Sequence, residues 1–142
     1  ILHNGWIMAL PLIENTIPEL IINEDTYIGH FCHIVSVKSV KIEKKVLIAD
    51  KVYISDNLRG YKDIKTPIID QPVAFKGSVI IGENSWIGEN ACVIGSKIGK
   101  HCIVAANAVV TKDIPDFCVV AGAPAKIIKK YNPKTKIWED VK

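Results

Sequence analysis

Aliphatic residues return every six positions through the second half of the chain: Ile81, Ile87 and Val93, then Ile98, Val104 and Val110. A helix face would space them three and four apart, and a half-buried strand two apart, so neither fits. The next residue is usually small: Gly82, Gly88, Gly99, Ala105. Three positions on comes a polar residue (Asn84, Asn90, His101, Asn107), and four on a small one (Ser85, Ala91, Cys102, Ala108). Three six-residue sides close one triangular coil. The aliphatic side chain then points inward onto its counterpart in the next coil, and the small residue fits the crowded corner. Asparagine just before it tolerates the left-handed backbone that a sharp corner needs. The pattern predicts an all-β solenoid, a parallel β-helix of stacked short strands.

The same register runs earlier. Ile28 and Ile34 are in phase with Gly29 and Cys32; residues 35–41 slip by two, and Ile42, Ile48 and Ile54 resume it. Val46, Val52 and Leu58 take the corner position. The slip predicts a bulge or widened turn, and the five-residue step from Val93 to Ile98 a turn shortened around Gly95. Residues 1–22 contain Pro11 and Pro18, which exclude one long helix. They read as an irregular entry, with Trp6 and Met8 covering the open end of the core. After Ile54 the pattern stops for 26 residues, 55–80. Such an insertion leaves the coil, and insertions of this kind gather on the binding face. Its Ile64, Ile68, Ile69 and Phe75 predict packing against a neighbouring surface. Pro115 opens a last partial coil within a capping segment, 113–142. There AKIIKKY reads as a short C-terminal helix, with Ile127, Ile128 and Tyr131 on one face, followed by a mobile tail. The whole of 1–142 reads as one domain.

Composition narrows the picture. Hydrophobic residues make up 49% of 142, enough to fill an elongated interior. A net charge of +3 gives no case for nucleic acid; the basic excess is local, six lysines against two acids over 126–142. Cys32, Cys92, Cys102 and Cys118 form no CxxC pair, so they read as packed thiols in a reducing cytoplasm. No run of 18 apolar residues predicts a transmembrane segment. The chain opens on Ile1 rather than Met, which leaves room for sequence before it, a signal peptide included. His3 reads as a surface residue. His30 and His33 share a coil, and γ-type carbonic anhydrases hold zinc on this repeat. Their pattern needs two nearby histidines on a later coil, where this chain has only His101, so no metal is expected.

Residues 28–131 resemble the hexapeptide-repeat acyltransferases, above all the maltose and galactoside acetyltransferase-like group that includes sugar O-acetyltransferases of polysaccharide biosynthesis. SWIGENACV at 85–93, VTKDIP at 110–115 and AGAPAKIIKK at 121–130, in that order, carry the resemblance. It implies a left-handed winding, against the usual right-handed crossover preference. It also implies a homotrimer, with acetyl-CoA in a groove between two β-helices and the acceptor entering from the insertion. By the same resemblance, the Ala106 backbone meets the pantetheine arm, and Thr111 and Lys112 lie near the adenine and its ribose phosphate. Lys126 and Lys129 supply mobile charge to the CoA phosphates. Trp86 and Gly88 match the family's Trp-Ile-Gly turn, with Trp86 either at the cofactor or in packing between chains.

Acetyl transfer to a hydroxyl needs a base. Family members commonly carry a histidine where the insertion begins, in patterns such as DHNHGY or DNLHGY. This chain reads Asp56-Asn57-Leu58-Arg59-Gly60-Tyr61, without one. Asn57 falls three after Ile54, the usual corner position, which leaves Arg59 as the replacement; the choice between the two stays open. Arginine does not give up its proton near neutral pH. Either transfer is impaired, or the base is Asp56, Tyr61 or a histidine of an adjacent subunit, or Arg59 binds an acidic acceptor. Asp56, Asn57, Arg59 and Tyr61 are the candidate substrate-side residues. The expected function is acetyl-CoA-dependent O-acetylation of a sugar or sugar-lipid in cell-surface polysaccharide biosynthesis. The alternatives are a non-catalytic trimer binding CoA or a sugar nucleotide, and a purely structural prism; fold alone does not choose.

Overall fold

The computed structural model describes residues 1–142. The inward column predicted from spacing is its axis: Ile28, Ile34, Ile42, Ile48, Ile54, Ile81, Ile87 and Val93 are wholly buried, and Ile98, Val104 and Val110 nearly so. Each such side chain is worth about 1.5–3 kcal/mol of apolar burial. Because a corner follows every few residues, the strands are short, and each coil lends one strand to each of three parallel sheets, except that the fifth gives face B only a bridge at Ile114. Face A stacks β1 (Trp6–Ala9), β4 (His33–Ser36), β7 (Tyr53–Ser55), β12 (Cys92–Ile94) and β15 (Val109–Val110). Face B stacks β2 (Glu19–Ile22), β5 (Ser39–Ile42), β10 (Val79–Ile81) and β13 (Lys97–Ile98). Face C stacks β3 (Tyr27–Ile28), β6 (Leu47–Ile48), β11 (Trp86–Ile87), β14 (Ile103–Val104) and β16 (Cys118–Ala121). The pairing keeps equivalent residues in line, Ile34 on Ile54 and Ile54 on Val93.

Two of the three corners are regular. Between faces B and C the residue three after the inward aliphatic has positive φ in every coil: Asp25, Lys45, Asn84, His101, Phe117. Between faces C and A it does so at Phe31, Lys51, Asn90 and Asn107. Position therefore sets the conformation, and asparagine is only the least strained occupant. The following residue is buried at every one of these turns but the first, where Thr26 is half-buried, as at Ser85, Ala91, Cys102 and Ala108. Burial also pushes the thiols of Cys32, Cys102 and Cys118 above their ordinary 9.0. Cys92 lies on the outer side of face A.

Four expectations need correction. Residues 6–22 are no irregular cap: β1 and β2 are regular rungs of the first coil. Ile7, Leu20 and Ile22 pack on the core, whereas Trp6 points out, edge-on to His33. AKIIKKY is not a helix. Lys126–Asn132 is a strand, β17, antiparallel to β16, and Ile137–Asp140 forms β18 against it. Alternating exposure along β17 shows why: Ile127, Lys129 and Tyr131 share a face, a period of two that the lone triplet of apolar residues concealed. The tail is thus an ordered strand, with Trp138 against Tyr131 at 5.6 Å. Finally, Leu58 holds no corner; it sits in a hairpin outside the coil.

Candidate functional site

The third corner, between faces A and B, departs from the repeat in every coil. It holds the 10–18 loop in the first coil, Val37–Lys38 in the second and the insertion in the third. Gly95, with φ of +55°, turns it in the fourth, and Thr111–Asp113 in the fifth. The predicted slip and shortened turn both fall here, so the irregularities stack along one edge.

Asp56 anchors that edge. It is completely buried, and one carboxylate oxygen accepts the N–H of Val37 at 2.9 Å while the other accepts those of Lys38 and Ser39 at 2.8 Å each. The Asn57 amide donates to it at 3.0 Å and the Ser36 hydroxyl at 3.4 Å. The widened turn of the second coil is therefore wrapped round a side chain of the third. Wholly buried and accepting these bonds, Asp56 holds the turn.

Directly beyond it the chain leaves the coil. Asn57–Arg59 (β8) pairs antiparallel with Val73–Phe75 (β9), and the Lys76 N–H closes the neck on the Asp56 carbonyl at 2.8 Å. Asn57 lacks the positive φ of a corner residue; it begins the hairpin. Its tip folds on itself. Gln71, buried, donates to the carbonyls of Asp63 and Thr66 at 2.8 Å. The Asp63 carboxyl is held below its usual range by the Thr66 hydroxyl and the Lys65 N–H. Ile64 and Ile69 stand 95% and 80% exposed. Arg59 and Tyr61 line a groove of ≈ 460 Å³ beside the hairpin, together with Lys62, Phe75 and Lys76. Lys38 from the second coil lies 4.8 Å over the Phe75 ring.

The residues aligned with cofactor binding fall in three places. Gly88 and Ala106 are brought together at the C–A corner, where a Cβ on Gly88 would come within 2.6 Å of the Ala106 nitrogen. Ala106 itself borders a small open cleft with Lys51, Asn90 and Asn107. Thr111 and Lys112 are exposed at the A–B corner, one strand of face A away. Beneath that strand, Gly122 accepts from Val109 and Ala125 donates to it. Lys126 is exposed beside Ala121, while Lys129 is already bound to Asp140 at 2.7 Å. Trp86 lies on face C, 47% exposed, between Leu47 and Ile103 in a column of outward apolar residues. The histidines do not converge: His33 sits between Trp6 and Tyr53, His30 against His3, and His101 against Phe117.

Sequence reasoning missed Lys38, Lys62, Lys76 and Phe75. The lysines at 62 and 76 were legible as insertion cations; Lys38 joins them only through the fold.

Residues 78–112 match the family model described as the hexapeptide repeat of succinyl-transferase. Over 124 residues the chain is 42% identical to a protein of Escherichia coli (strain K12) that carries the provisional name lipopolysaccharide biosynthesis O-acetyl transferase WbbJ. That match takes in 82% of this chain and 63% of the relative, so the chain spans less than two thirds of its length. Among solved structures, a maltose O-acetyltransferase from Clostridium difficile 630 is similar at TM-score 0.63 and 27% identity, over 81% of this chain and 68% of that one. A galactoside acetyltransferase in complex with coenzyme A is similar at TM-score 0.66 and 25% identity, over 94% and 67%. The coil is the left-handed β-helix of these enzymes. In its phased repeat, its prism and these relatives together, the chain is similar to the hexapeptide-repeat acyltransferases.

Proposed function

We propose that the protein transfers acetyl from acetyl-CoA to a sugar hydroxyl in cell-surface polysaccharide biosynthesis. The observation that carries this is the 42% identity, across 82% of the chain, to a relative whose name gives that chemistry. The galactoside acetyltransferase bound to coenzyme A supports the cofactor. We place the enzyme in the cytoplasm, where acetyl-CoA is made, and read it as a homotrimer. Apolar outward columns (Trp86 with Leu47 and Ile103 on face C) and the bare tip residues Ile64 and Ile69 support packing between subunits. A groove between two chains would draw on Ala106 and Gly88 at one corner and Thr111 and Lys112 at the other. Lys126 is the free cation for phosphate, since Lys129 is partnered.

The reaction moves the acetyl carbonyl from sulfur to oxygen. The acceptor O–H loses its proton, a C–O bond forms, and the C–S bond breaks to leave the CoA thiol. Backbone N–H groups would hold the oxyanion between those steps. The weak point is the proton. Asp56 is locked in its turn and Arg59 accepts none, which leaves Tyr61 or a neighbouring subunit's histidine. We infer slow transfer. The non-catalytic reading rests on the same gap, and turnover separates the two.

Thiol release from acetyl-CoA, followed with a panel of neutral and acidic glycosides, tests this. Slow but saturable release is expected, and Arg59→His should raise kcat at least about tenfold by restoring a base. Turnover of the unchanged protein near a typical ten per second would reject the impaired-site reading. No heat on titrating CoA would reject the cofactor itself.

A further inference from the structure

The charged side chains of the insertion groove are all of one sign. Arg59, Lys62 and Lys76 line it, and no carboxylate does. None of the three takes part in an ion pair. On the prism, four lysines sit opposite acids: Lys41 on Glu43, Lys44 and Lys100 on Glu83, Lys51 on Glu89. Within the insertion, the Asp63 carboxylate is occupied by the Thr66 hydroxyl and the Lys65 N–H. The groove's walls also carry two rings, Tyr61 and Phe75, and Lys38 adds a fourth cation over Phe75 at 4.8 Å.

Like charges in one concavity repel one another, water and salt screen that repulsion only in part, and a bound anion turns it into attraction. A neutral sugar offers hydroxyls and ring faces, for which cations are not required. A guanidinium on one wall matches a planar or tetrahedral oxyanion with two parallel N–H donors, and aromatic rings suit the apolar face of a pyranose. We propose that this groove takes the acceptor and that the acceptor is anionic: a sugar bearing a carboxylate or a phosphate, with Arg59 gripping the charged group. This rests on the acetyltransferase reading for the groove being the acceptor's side. It also gives the missing histidine a replacement with a job, because Arg59 then sets specificity in place of accepting a proton.

The test is isothermal titration of the full chain with methyl glucuronide, methyl glucoside and UDP-glucose, each with and without CoA. The first two share a ring and differ by one carboxylate. Methyl glucuronide is expected to bind at least about tenfold more tightly than methyl glucoside, as one charge-assisted contact implies. Arg59→Gln should remove that preference and leave CoA binding unchanged, while Lys65→Gln, which removes the same charge from the exposed tip, should alter it less than twofold. Raising the salt concentration should weaken glucuronide more than glucoside. Preference for UDP-glucose over both, lost equally in Arg59→Gln, assigns the anion to phosphate and supports the proposal. Equal affinity for all three, or no binding of any of them, overturns it. So does loss of CoA binding in Arg59→Gln, since the groove then belongs to the cofactor. Failure of CoA to bind the unchanged protein would sink the acetyltransferase reading while the glucuronide preference is still read on its own.

Discussion

Two kinds of corner share one prism. The B–C and C–A corners repeat the same backbone in coil after coil, whatever residue stands there. The A–B corner repeats nothing: it is a loop, a two-residue turn, a hairpin, a glycine and a polar strap in succession. Both enclose the same column of isoleucines and valines. The contrast shows that the column and two corners suffice to hold a coil closed, which frees the third edge to carry chemistry. Asp56 is what makes the freedom safe. It ties the second coil's odd turn to the third coil's exit and hands the chain to the hairpin.

The largest test of that division removes the tie. Asp56→Ala strands the buried N–H of Val37 and the part-buried ones of Lys38 and Ser39 and should cost about 4 kcal/mol in urea denaturation; a loss under about 1 kcal/mol would show that the loose corner holds itself. Next comes the shared column. Ile87→Ala opens a cavity in a fully buried site and should cost about 3 kcal/mol. Ile69→Ala on the hairpin tip should change stability by less than about 0.5 kcal/mol in the same assay. Equal effects would mean that the insertion is part of the core. A smaller change sharpens the regular corner. Lys45 holds φ of +56°, so Lys45→Asn should gain about 0.5–1 kcal/mol by relieving left-handed strain. No gain there would mean that strain is not what limits these positions.

The last and slightest effect is a pH dependence. Burial raises Cys32, Cys102 and Cys118 above 9.0 in the folded chain. The native state then keeps protons that the unfolded state gives up, so this contribution is whole below about pH 9 and is lost as pH climbs through the raised values. The urea midpoint should fall above about pH 9, and Cys102→Ala should fall less steeply. These thiols all lie on the inside of regular corners, so the effect belongs to the prism and not to the insertion.

The same contrast explains what could be read from the letters. Regular corners were legible because sterics act every six residues: an inward isoleucine, a tight turn and a small buried neighbour each leave a mark. Even so, Phe31, Lys45 and Phe117 occupy left-handed turns without announcing it, since packing overrides residue preference. At the A–B corner only the departure was visible, as a slip, a short step and a gap. Asp56 looked like a candidate base because its partners, the N–H groups at 37–39, lie a full coil away and carry no side-chain signature. Asn57 looked like a corner by counting, yet the chain had already left the coil. The first rungs hid behind two prolines that fall in the 10–18 loop, and β17 hid in a stretch too short to separate a period of two from a helical one. The groove's cations were countable, but their isolation from acids is a fact of three dimensions.

One feature at the far end reaches beyond the single molecule. A screw of parallel strands has no natural last turn, and its final edge invites another copy to dock on top. Here β17 turns back antiparallel on β16, β18 pairs antiparallel with β17, and Gly122–Ala125 take the hydrogen bonds of Val109. With that lid in place β16 has no free edge, so a second copy cannot continue the parallel ladder of face C from its last rung.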